Sequence, residues 1–377
     1  MPEFPDQNSI RPAWVEINLA QLRRNFQLIK QDMPTKLAFL SVVKDQAYGH
    51  GAAETARVAL KAGAEMLAVA TIDEAVELRQ RGVSADILLF GERTEAELKW
   101  CLEHRLTCFI NDAETASRYD QLARSASQIA PVHLEVDTGL SRYGVRWTAA
   151  LAVIEKISSA KNLQLAGVMS HFAMSDELDK SFALQQLQRF NEVVSHLNRS
   201  HILVPRYHIC NTGGYLDLPQ AHFDMVRIGI LPLGVYPSQV CRRIPGLKPV
   251  MSVKTQVTAI KNLQAGDYVG YGMHYQASQP RTIAVLPVGY GDGYPRVRNQ
   301  GAVLIHGQRA PVVGGNAMDA MMVDVSDIPE SKRWDEVVLM GVQEEEEIDV
   351  HELAKLKGTV SYDVLTSWSW RLPRVYL

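Results

Sequence analysis

Residues 37–51 read LAFLSVVKDQAYGHG and place one lysine, Lys44, directly after the apolar run 37–43. Such a run is typical of a strand buried in a parallel sheet, and two glycines then precede a helical pattern that starts at Ala52. A lysine at the mouth of a packed strand can be desolvated enough to lose its proton, and the free amine can form a Schiff base. Taken alone, Lys44 could equally be a lysine whose stem only snorkels out of the strand end.

The alternation of a short apolar run with a helical pattern continues through the first two-thirds of the chain. We predict eight strands, at residues 37–43, 66–70, 87–90, 107–110, 132–136, 163–169, 207–210 and 225–228. Parallel strands need crossover helices, so this order predicts an α/β fold with a (β/α)8 barrel of the TIM type. An open doubly wound sheet is the alternative, but the first turn lacks the G-x-G-x-x-G pattern.

The pattern changes near residues 245–246, after which short strands alternate with turn signals. Strands are predicted at residues 250–260, 284–288, 302–305, 310–313, 321–325 and 337–340, with hairpin-type turns at 264–267 and 306–308. Only residues 350–357 are predicted to form a helix in this part. We therefore predict an N-terminal extension over residues 1–13, a barrel domain over 14–245 and a mostly β C-terminal domain over 246–377.

The composition limits the classes of partner. The chain has 377 residues, of which 46% are hydrophobic and 21% charged, and its net charge of −3 gives no basic surface for nucleic acid or an anionic membrane. The four cysteines show no CxxC pair and no metal-ligand spacing, which favours a reduced compartment and predicts no metal. Residues 1–13 lack the apolar core of a signal peptide, and no apolar run approaches the roughly 20 residues of a membrane span. A cytoplasmic protein is therefore expected.

Polar residues with chemical potential recur where the predicted strands end, which is where barrel enzymes place their reacting groups. They are Lys44, Arg142, His171, Asn211, Thr212 and Arg227. Each has an ordinary alternative, such as a core histidine, a rim arginine or a helix cap, and only their shared position predicts one site. The backbone N–H groups of Gly229 and Ile230, with hydroxyls from Thr212, Tyr48 and Tyr362, could hold a phosphate dianion.

From about residue 11 to its end the chain resembles the alanine racemases, fold-type III enzymes that use pyridoxal phosphate. The segments that carry the resemblance are VKDQAYGHG (43–51), VDTGLSRYG (136–144), SHFA (170–173), VRIGI (226–230), GYG (270–272), GYGDGYPR (289–296), MD (318–319) and SY (361–362). The resemblance implies a homodimer that interconverts L-alanine and D-alanine and supplies D-alanine for peptidoglycan.

The resemblance also implies a role for each site residue. Lys44 would hold the cofactor and act on one face of the substrate, and Tyr271 of the partner subunit would act on the other. Arg142 and the backbone N–H of Met318 would bind the substrate carboxylate. Arg142 would also contact the cofactor's phenolic oxygen, Arg227 would contact its pyridine nitrogen, and His171 would link Arg227 to Tyr271. The cofactor would further be bound by Tyr48, Asn211, Thr212, Gly229, Ile230 and Tyr362. Asp176 and Arg296 would line an access corridor, with Tyr271 and Tyr362 as its inner gate.

Three positions depart from the family pattern. Glu135 stands where many members carry a carbamylated lysine, and we hypothesise that its carboxylate is the negative partner of Arg142. Ala317 replaces a common cysteine and Gly315 a common corridor arginine, so a broader or serine-directed specificity stays open. A decarboxylase of the same two-domain type is a further alternative, although such enzymes favour an acidic residue where this chain has Arg227. A non-catalytic carrier of pyridoxal phosphate and a cofactor-free Schiff-base aldolase barrel are the remaining ones.

Overall fold

The computed structural model describes residues 11–377, and these form two compact units that are each discontinuous in sequence. The barrel unit contains Arg23–Ala47 and Gly51–Leu247. The β-rich unit contains the described residues before Arg23 together with Tyr48–His50 and Lys248–Leu377. A division into two domains near residue 246 stays a prediction.

Twenty-one strands, eleven helices of six or more residues and four short 3-10 helices make up the described part of these units. The strands are β1 (Ala13–Ile17), β2 (Ala38–Val42), β3 (Met66–Val69), β4 (Asp86–Leu89), β5 (Thr107–Phe109), β6 (Ala130–Asp137), β7 (Val145–Arg146), β8 (Leu163–Met169), β9 (Tyr207–His208), β10 (Met225–Ile228), β11 (Met251–Gln256), β12 (Ala259–Leu263), β13 (Tyr268–Val269), β14 (Tyr275–Gln276), β15 (Arg281–Leu286), β16 (Ala302–Ile305), β17 (Gln308–Pro311), β18 (Met321–Asp324), β19 (Glu336–Gln343), β20 (Glu346–Ile348) and β21 (Arg374–Tyr376). The helices are α1 (Leu19–Asp32), α2 (Lys44–Gly49), α3 (Ala52–Lys61), α4 (Ile72–Gln80), α5 (Glu95–Glu103), α6 (Ala113–Ser125), α7 (Ala150–Ser159), α8 (Ser181–Arg199), α9 (Thr212–Asp217), α10 (Val350–Lys357) and α11 (Ser361–Ser367).

Eight parallel strands form the barrel, in the order β10-β2-β3-β4-β5-β6-β8-β9. The two end strands are joined by backbone hydrogen bonds, from Asp224 N–H to Tyr207 O at 3.1 Å and from Arg227 N–H to Cys210 O at 3.0 Å, so the barrel is nearly closed. β2 is buried at all five positions, as expected for a strand covered on both faces. The eight strands and the barrel class predicted from the sequence are confirmed.

Two barrel helices begin with a capping box. In α4 the Thr71 hydroxyl accepts from the Glu74 backbone N–H while the Glu74 carboxylate accepts from the Thr71 N–H. In α5, Thr94 and Glu97 form the same capping box. Each box satisfies backbone donors that the first helical turn leaves unpaired.

The β-rich unit is built on a seven-stranded sheet, in which β17-β16-β19-β11-β1-β21 are neighbours and β20 pairs with β19. A three-stranded sheet, β12-β15-β18, and the β13-β14 hairpin complete it. The sequence prediction was wrong in part: residues 250–260 form β11 and β12 in different sheets, and β13, β14, β20, β21 and α11 were not predicted. β1 pairs with β11 and β21, although the prediction counted residues 14–17 with the barrel domain.

Candidate active site

Lys44 lies two residues after the end of β2 and immediately before a left-handed helical turn. The next four residues, Asp45, Gln46, Ala47 and Tyr48, have φ angles between 50° and 55°. Left-handed helical conformation costs roughly 1–2 kcal/mol per residue for L-amino acids, so this segment persists only because its surroundings hold it.

Two carboxylates of α4 hold this turn. The Asp45 backbone N–H donates to Glu74 Oε1, and Gln46 Nε2 donates to Glu77 Oε2 at 2.6 Å. Gln46 in turn accepts from the Ala52 N–H through its Oε1 at 3.1 Å, at the start of α3. Helices α3 and α4 therefore fix the direction in which the chain leaves Lys44.

The Lys44 amine lies half-buried and forms no direct ion pair among residues 11–377. Burial lowers its pKa from the usual 10.5, and the positive charge of Arg142 lowers it further, against smaller opposing effects of Glu74 and Asp45. A lower pKa means a larger fraction of free amine near neutral pH. Free amine is the form that attacks a carbonyl carbon.

Arg227 is buried at the end of β10 and is surrounded by acceptors rather than by a carboxylate. One terminal nitrogen, Nη1, donates to His208 Nδ1 at 2.9 Å, and the other, Nη2, donates to His171 Nδ1 at 3.0 Å. Both also contact carbonyl oxygens, those of His208, Ser170 and Ile209. The guanidinium Nε is buried and has no hydrogen-bond partner among the described residues. Arg227 therefore presents one unused donor.

The histidines beside Arg227 are held neutral. Burial, followed by the charge of Arg227, lowers the pKa of His171 and His208 well below 6.5. Burial also lowers the pKa of Arg227 itself, to about 10. At neutral pH the cluster therefore carries a single positive charge, on the guanidinium.

Glu135 and Arg142 come from the end of β6 and the loop after it. Glu135 is buried, and burial raises its pKa, although the charges of Arg142 and Arg227 oppose that rise. Arg142 is exposed and forms no direct ion pair with Glu135 within the described chain. The hypothesis that Glu135 is the negative partner of Arg142 stays a prediction, because the two charges attract each other through space without forming an ion pair.

The residues expected around a phosphate lie in both units. In the barrel unit Thr212 is buried at the start of α9, and Asn211 caps that helix by accepting from the Gly214 N–H at 3.0 Å. The N–H groups of Gly229 and Ile230 donate to no backbone carbonyl within the described part of the chain. In the β-rich unit the rings of Tyr48 and Tyr362 meet edge to face, with centroids 5.9 Å apart.

Of the remaining predicted residues, Tyr271, Met318 and Arg296 are exposed residues of the β-rich unit, and Asp176 is not part of it. Tyr271 is 79% exposed, and its hydroxyl forms no hydrogen bond within residues 11–377. The Met318 carbonyl accepts from the Gly291 N–H at 2.8 Å, while its own N–H donates to no backbone carbonyl of the described residues. Arg296 lies over the Tyr290 ring at 5.7 Å. Asp176 belongs to the barrel unit, where its carbonyl accepts from the Ser238 hydroxyl.

Three residues that hydrogen-bond to members of these groups were not predicted from the sequence. Glu74, Glu77 and His208 are bonded to Asp45, Gln46 and Arg227, respectively. Their only signals were the capping box at Thr71 and a histidine inside a predicted strand. Within residues 11–377, no cluster of histidine, cysteine or acidic side chains is arranged to hold a metal ion. None of the helices in that range is both long and apolar enough to cross a membrane.

Known proteins match the whole described architecture. The family model "Alanine racemase, N-terminal domain" matches residues 17–237, and "Alanine racemase, C-terminal domain" matches residues 250–376. The alanine racemase of Carboxydothermus hydrogenoformans is 40% identical over 98% of this chain and 100% of its own length. That of Halothermothrix orenii is 38% identical over 97% of each protein.

Solved structures agree. The alanine racemase of Clostridium difficile superposes with a TM-score of 0.94 at 33% identity, over 98% of this chain and 96% of that one. The alanine racemase of Bacillus anthracis, solved with bound L-Ala-P, gives a TM-score of 0.91 at 33% identity, with the same coverage of 98% and 96%. The barrel with its strand-end lysine and the β-rich unit thus define an amino-acid racemase, which is an isomerase. More particularly, the chain belongs to the alanine racemase family.

Proposed function

We propose that the protein interconverts L-alanine and D-alanine with pyridoxal 5′-phosphate held by Lys44. Arg227 carries this proposal, because its buried Nε is a single donor without an acceptor among residues 11–377. A pyridine nitrogen is a single acceptor, so the residues present fit this cofactor. When bound, pyridoxal phosphate acidifies the α-hydrogen of an amino acid by withdrawing electron density into its ring.

Arginine also separates racemase from decarboxylase chemistry. A guanidinium is always a donor, so Arg227 would leave the ring nitrogen without a proton. Decarboxylases of this architecture favour an acidic residue there, which keeps the ring nitrogen protonated. Arg227 therefore supports racemisation, and release of carbon dioxide from alanine, serine, lysine or ornithine would contradict it.

The proposed proton transfer uses two opposed groups, because racemisation removes hydrogen from one face of Cα and returns it to the other. Lys44 Nζ would hold or release the proton on one face, aided by its lowered pKa. Tyr271 of the partner subunit would hold or release the proton on the opposite face. The positive charge of Arg227, which His171 would connect to Tyr271, would favour the ionised form of the Tyr271 phenol. Arg142 and the Met318 N–H would orient the substrate carboxylate.

The remaining cofactor contacts are proposed from both units. Tyr48, Tyr362 and the Thr212 hydroxyl, with the N–H groups of Gly229 and Ile230, would hold the phosphate. Asn211 would contribute through the helix that it caps. Asp176 and Arg296 would line the access corridor.

A homodimer is part of the same proposal. The exposed loops of the β-rich unit carry Tyr271, Met273, Tyr290 and Met318, all with more than a third of their surface exposed. Exposed aromatic and methionine side chains are enriched at subunit interfaces. A Tyr271 hydroxyl that has no hydrogen-bond partner within residues 11–377 is free to serve a site in another copy.

The decisive experiment has two arms. Borohydride reduction of the pyridoxal-phosphate-loaded protein, followed by peptide mapping, should label Lys44. Tyr271→Phe should lower kcat by about 100- to 10,000-fold while leaving that labelling intact, because general acid–base catalysis is worth roughly that much. Tyr268→Phe, on the same hairpin, is the control and should retain activity. In a non-catalytic cofactor carrier, Tyr271→Phe would change no measured property. An active protein in which borohydride leaves Lys44 unlabelled would contradict the proposal.

Substrate range and cellular role need separate measurements. A coupled assay for both enantiomers across a panel of amino acids should show alanine as the preferred substrate, with serine as the main competitor because of Ala317 and Gly315. We also propose that the D-alanine produced serves peptidoglycan synthesis in the cytoplasm. A host strain without its own racemase should then grow without added D-alanine when it expresses this chain.

A further inference from the structure

Three buried side chains, of His133, His208 and Arg227, and the half-buried His171 form one continuous line of hydrogen bonds inside the barrel unit. His133 Nδ1 lies 3.1 Å from His208 Nε2, His208 Nδ1 lies 2.9 Å from Arg227, and His171 Nδ1 lies 3.0 Å from the other side of the same guanidinium. His171 and Arg227 have roles in the proposed reaction. His208 and His133 continue the line away from them and have none.

The donors in this line fix where every ring proton sits. A guanidinium can only donate, so His208 and His171 must each accept at Nδ1 and must each carry their single proton on Nε2. His208 then donates from Nε2 to His133 Nδ1, which places the His133 proton on Nε2 as well. A doubly protonated His208 could not accept from Arg227, so the line exists only with neutral rings.

The strands around the His133 ring are irregular in a way that accommodates it. Strands β6 and β8 pair in register at Val132 and Leu165, but the next pair is His133 with Gly167, so Ala166 is left as a bulge. Bulges are rare between parallel strands and re-aim side chains. A Cβ added at Gly167 would lie 2.6 Å from the His133 ring. A bulge and a glycine therefore coincide where the His133 ring enters the barrel.

The line also accounts for how Arg227 is held without a counter-ion. Buried charges are normally paired, yet no carboxylate in residues 11–377 forms an ion pair with this guanidinium. Two imidazole nitrogens and three carbonyl oxygens solvate it instead. These acceptors occupy both terminal nitrogens and leave Nε as the unused donor.

We propose that His208, supported by His133, is a positioning residue that locks the Arg227 guanidinium so that only Nε faces the bound ligand. This positioning role rests on the proposed function. In it the two histidines affect cofactor binding and turnover although they do not contact the substrate. His208 fixes the rotation of the guanidinium, and His133 fixes the tautomer of His208.

The tautomers can be measured in the full-length protein with and without pyridoxal phosphate. Long-range proton–nitrogen NMR of histidine-labelled protein at neutral pH should show His133, His171 and His208 each with one bare nitrogen, Nδ1, and one protonated nitrogen, Nε2. The single variants His133→Asn and His208→Asn assign the signals. A His208 that carries its proton on Nδ1, or on both nitrogens, overturns the proposal.

Two His208 variants separate positioning from packing. His208→Leu keeps an apolar volume but removes the acceptor, and should weaken pyridoxal-phosphate affinity and lower kcat, each by about ten- to hundredfold, because hydrogen bonds to charged groups are worth that much. The KM for alanine should change little, since other residues bind the carboxylate. His208→Asn supplies an oxygen near the Nδ1 position and should recover most of both losses.

A matched control comes from another barrel histidine. His222 Nε2 donates to the Tyr215 carbonyl at 2.9 Å and its ring stacks on the Tyr215 ring, but within the described residues it forms no hydrogen bond to His133, His171, His208 or Arg227. His222→Asn should leave affinity and turnover unchanged. An active wild type with an equally active His208→Leu overturns the positioning role alone. A wild type that binds no pyridoxal phosphate instead overturns the proposed function, and the positioning role falls with it.

Discussion

Glu74 accepts a hydrogen bond from the backbone N–H of Asp45, so the residue that caps α4 also holds the left-handed turn behind Lys44. One carboxylate oxygen serves Asp45, and the other accepts from the N–H groups of Ala70 and Thr71. The two tasks make the strained turn depend on the helix end beside it.

Replacing Glu74 should therefore affect both stability and the lysine. Glu74→Ala removes the cap and the Asp45 contact, and should lower the free energy of unfolding by about 2–3 kcal/mol. It should also slow borohydride labelling of Lys44 by pyridoxal phosphate. Glu97→Ala is the matched control, because Glu97 closes the same capping box in α5. That variant should lose about 1 kcal/mol and keep normal labelling. Equal labelling in both variants would contradict the link.

Glu135 should make stability depend on pH. Burial raises its pKa above the usual 4.5, and Glu92 and Asp137 add to the rise while Arg142 and Arg227 oppose it. A carboxyl group whose folded pKa is raised binds more protons in the folded state, so stability falls as pH rises from 4.5 towards the folded pKa. Each unit of pKa difference corresponds to about 1.4 kcal/mol.

Glu135→Gln cannot ionise and should lose this dependence. Urea unfolding at a series of pH values should show that Glu135→Gln gains stability relative to wild type as pH increases through that window. Glu103→Gln, on an exposed glutamate of α5, should keep the wild-type profile. Parallel profiles for wild type and Glu135→Gln would show that burial does not govern this carboxyl group.

Much of the barrel was predictable because its signals are local. A strand covered on both faces reads as an apolar run, and six of the eight runs in residues 37–228 were followed by a helical pattern, which indicated the strand count and the parallel direction together. The ends of those strands then located Lys44, His171 and Arg227. Their chemical roles are still predictions.

What the sequence did not reveal depends on contacts between distant segments. Residues 45–48 contain no glycine, so nothing local indicates a left-handed turn; Glu74 and Glu77 impose it. β1 has the alternation of any half-buried strand, and only its pairing with β11 and β21 places it in the β-rich unit. His208 and His133 are 75 residues apart, with no motif to join them.

The loop that carries Met318 should be sensitive to one methyl group. A Cβ at Gly289 would lie 2.2 Å from the Ala317 carbonyl oxygen, whereas at Gly315 the nearest atom would be 3.6 Å away. Gly289→Ala should therefore displace the Met318 N–H, raise the KM for alanine and lower the free energy of unfolding by about 3 kcal/mol. Gly315→Ala should keep the stability of the wild type. Chemical denaturation and initial-rate kinetics test the pair, and similar stabilities would argue against the close packing.

Arg374 should control the segment that carries Tyr48. Within the β-rich unit its guanidinium donates to the carbonyls of Gly49, Trp368, Ser369 and Leu372, and stacks on Trp370 at 3.9 Å. Burial lowers its pKa to about 10. Four carbonyl acceptors on one planar fork cannot be served by a lysine or a methionine in the same geometry.

Arg374→Met should thus lower the free energy of unfolding by about 2–3 kcal/mol and weaken pyridoxal-phosphate affinity, since Gly49 adjoins the proposed phosphate ligand Tyr48. Arg333 provides the control: it also stacks on a tryptophan, Trp334, and donates to one carbonyl, but lies far from Tyr48 in sequence. Arg333→Met should lose little stability and no affinity. Fluorescence titration with the cofactor measures the affinity of each variant. If Arg374→Met is less stable but binds pyridoxal phosphate normally, Arg374 has only a packing role.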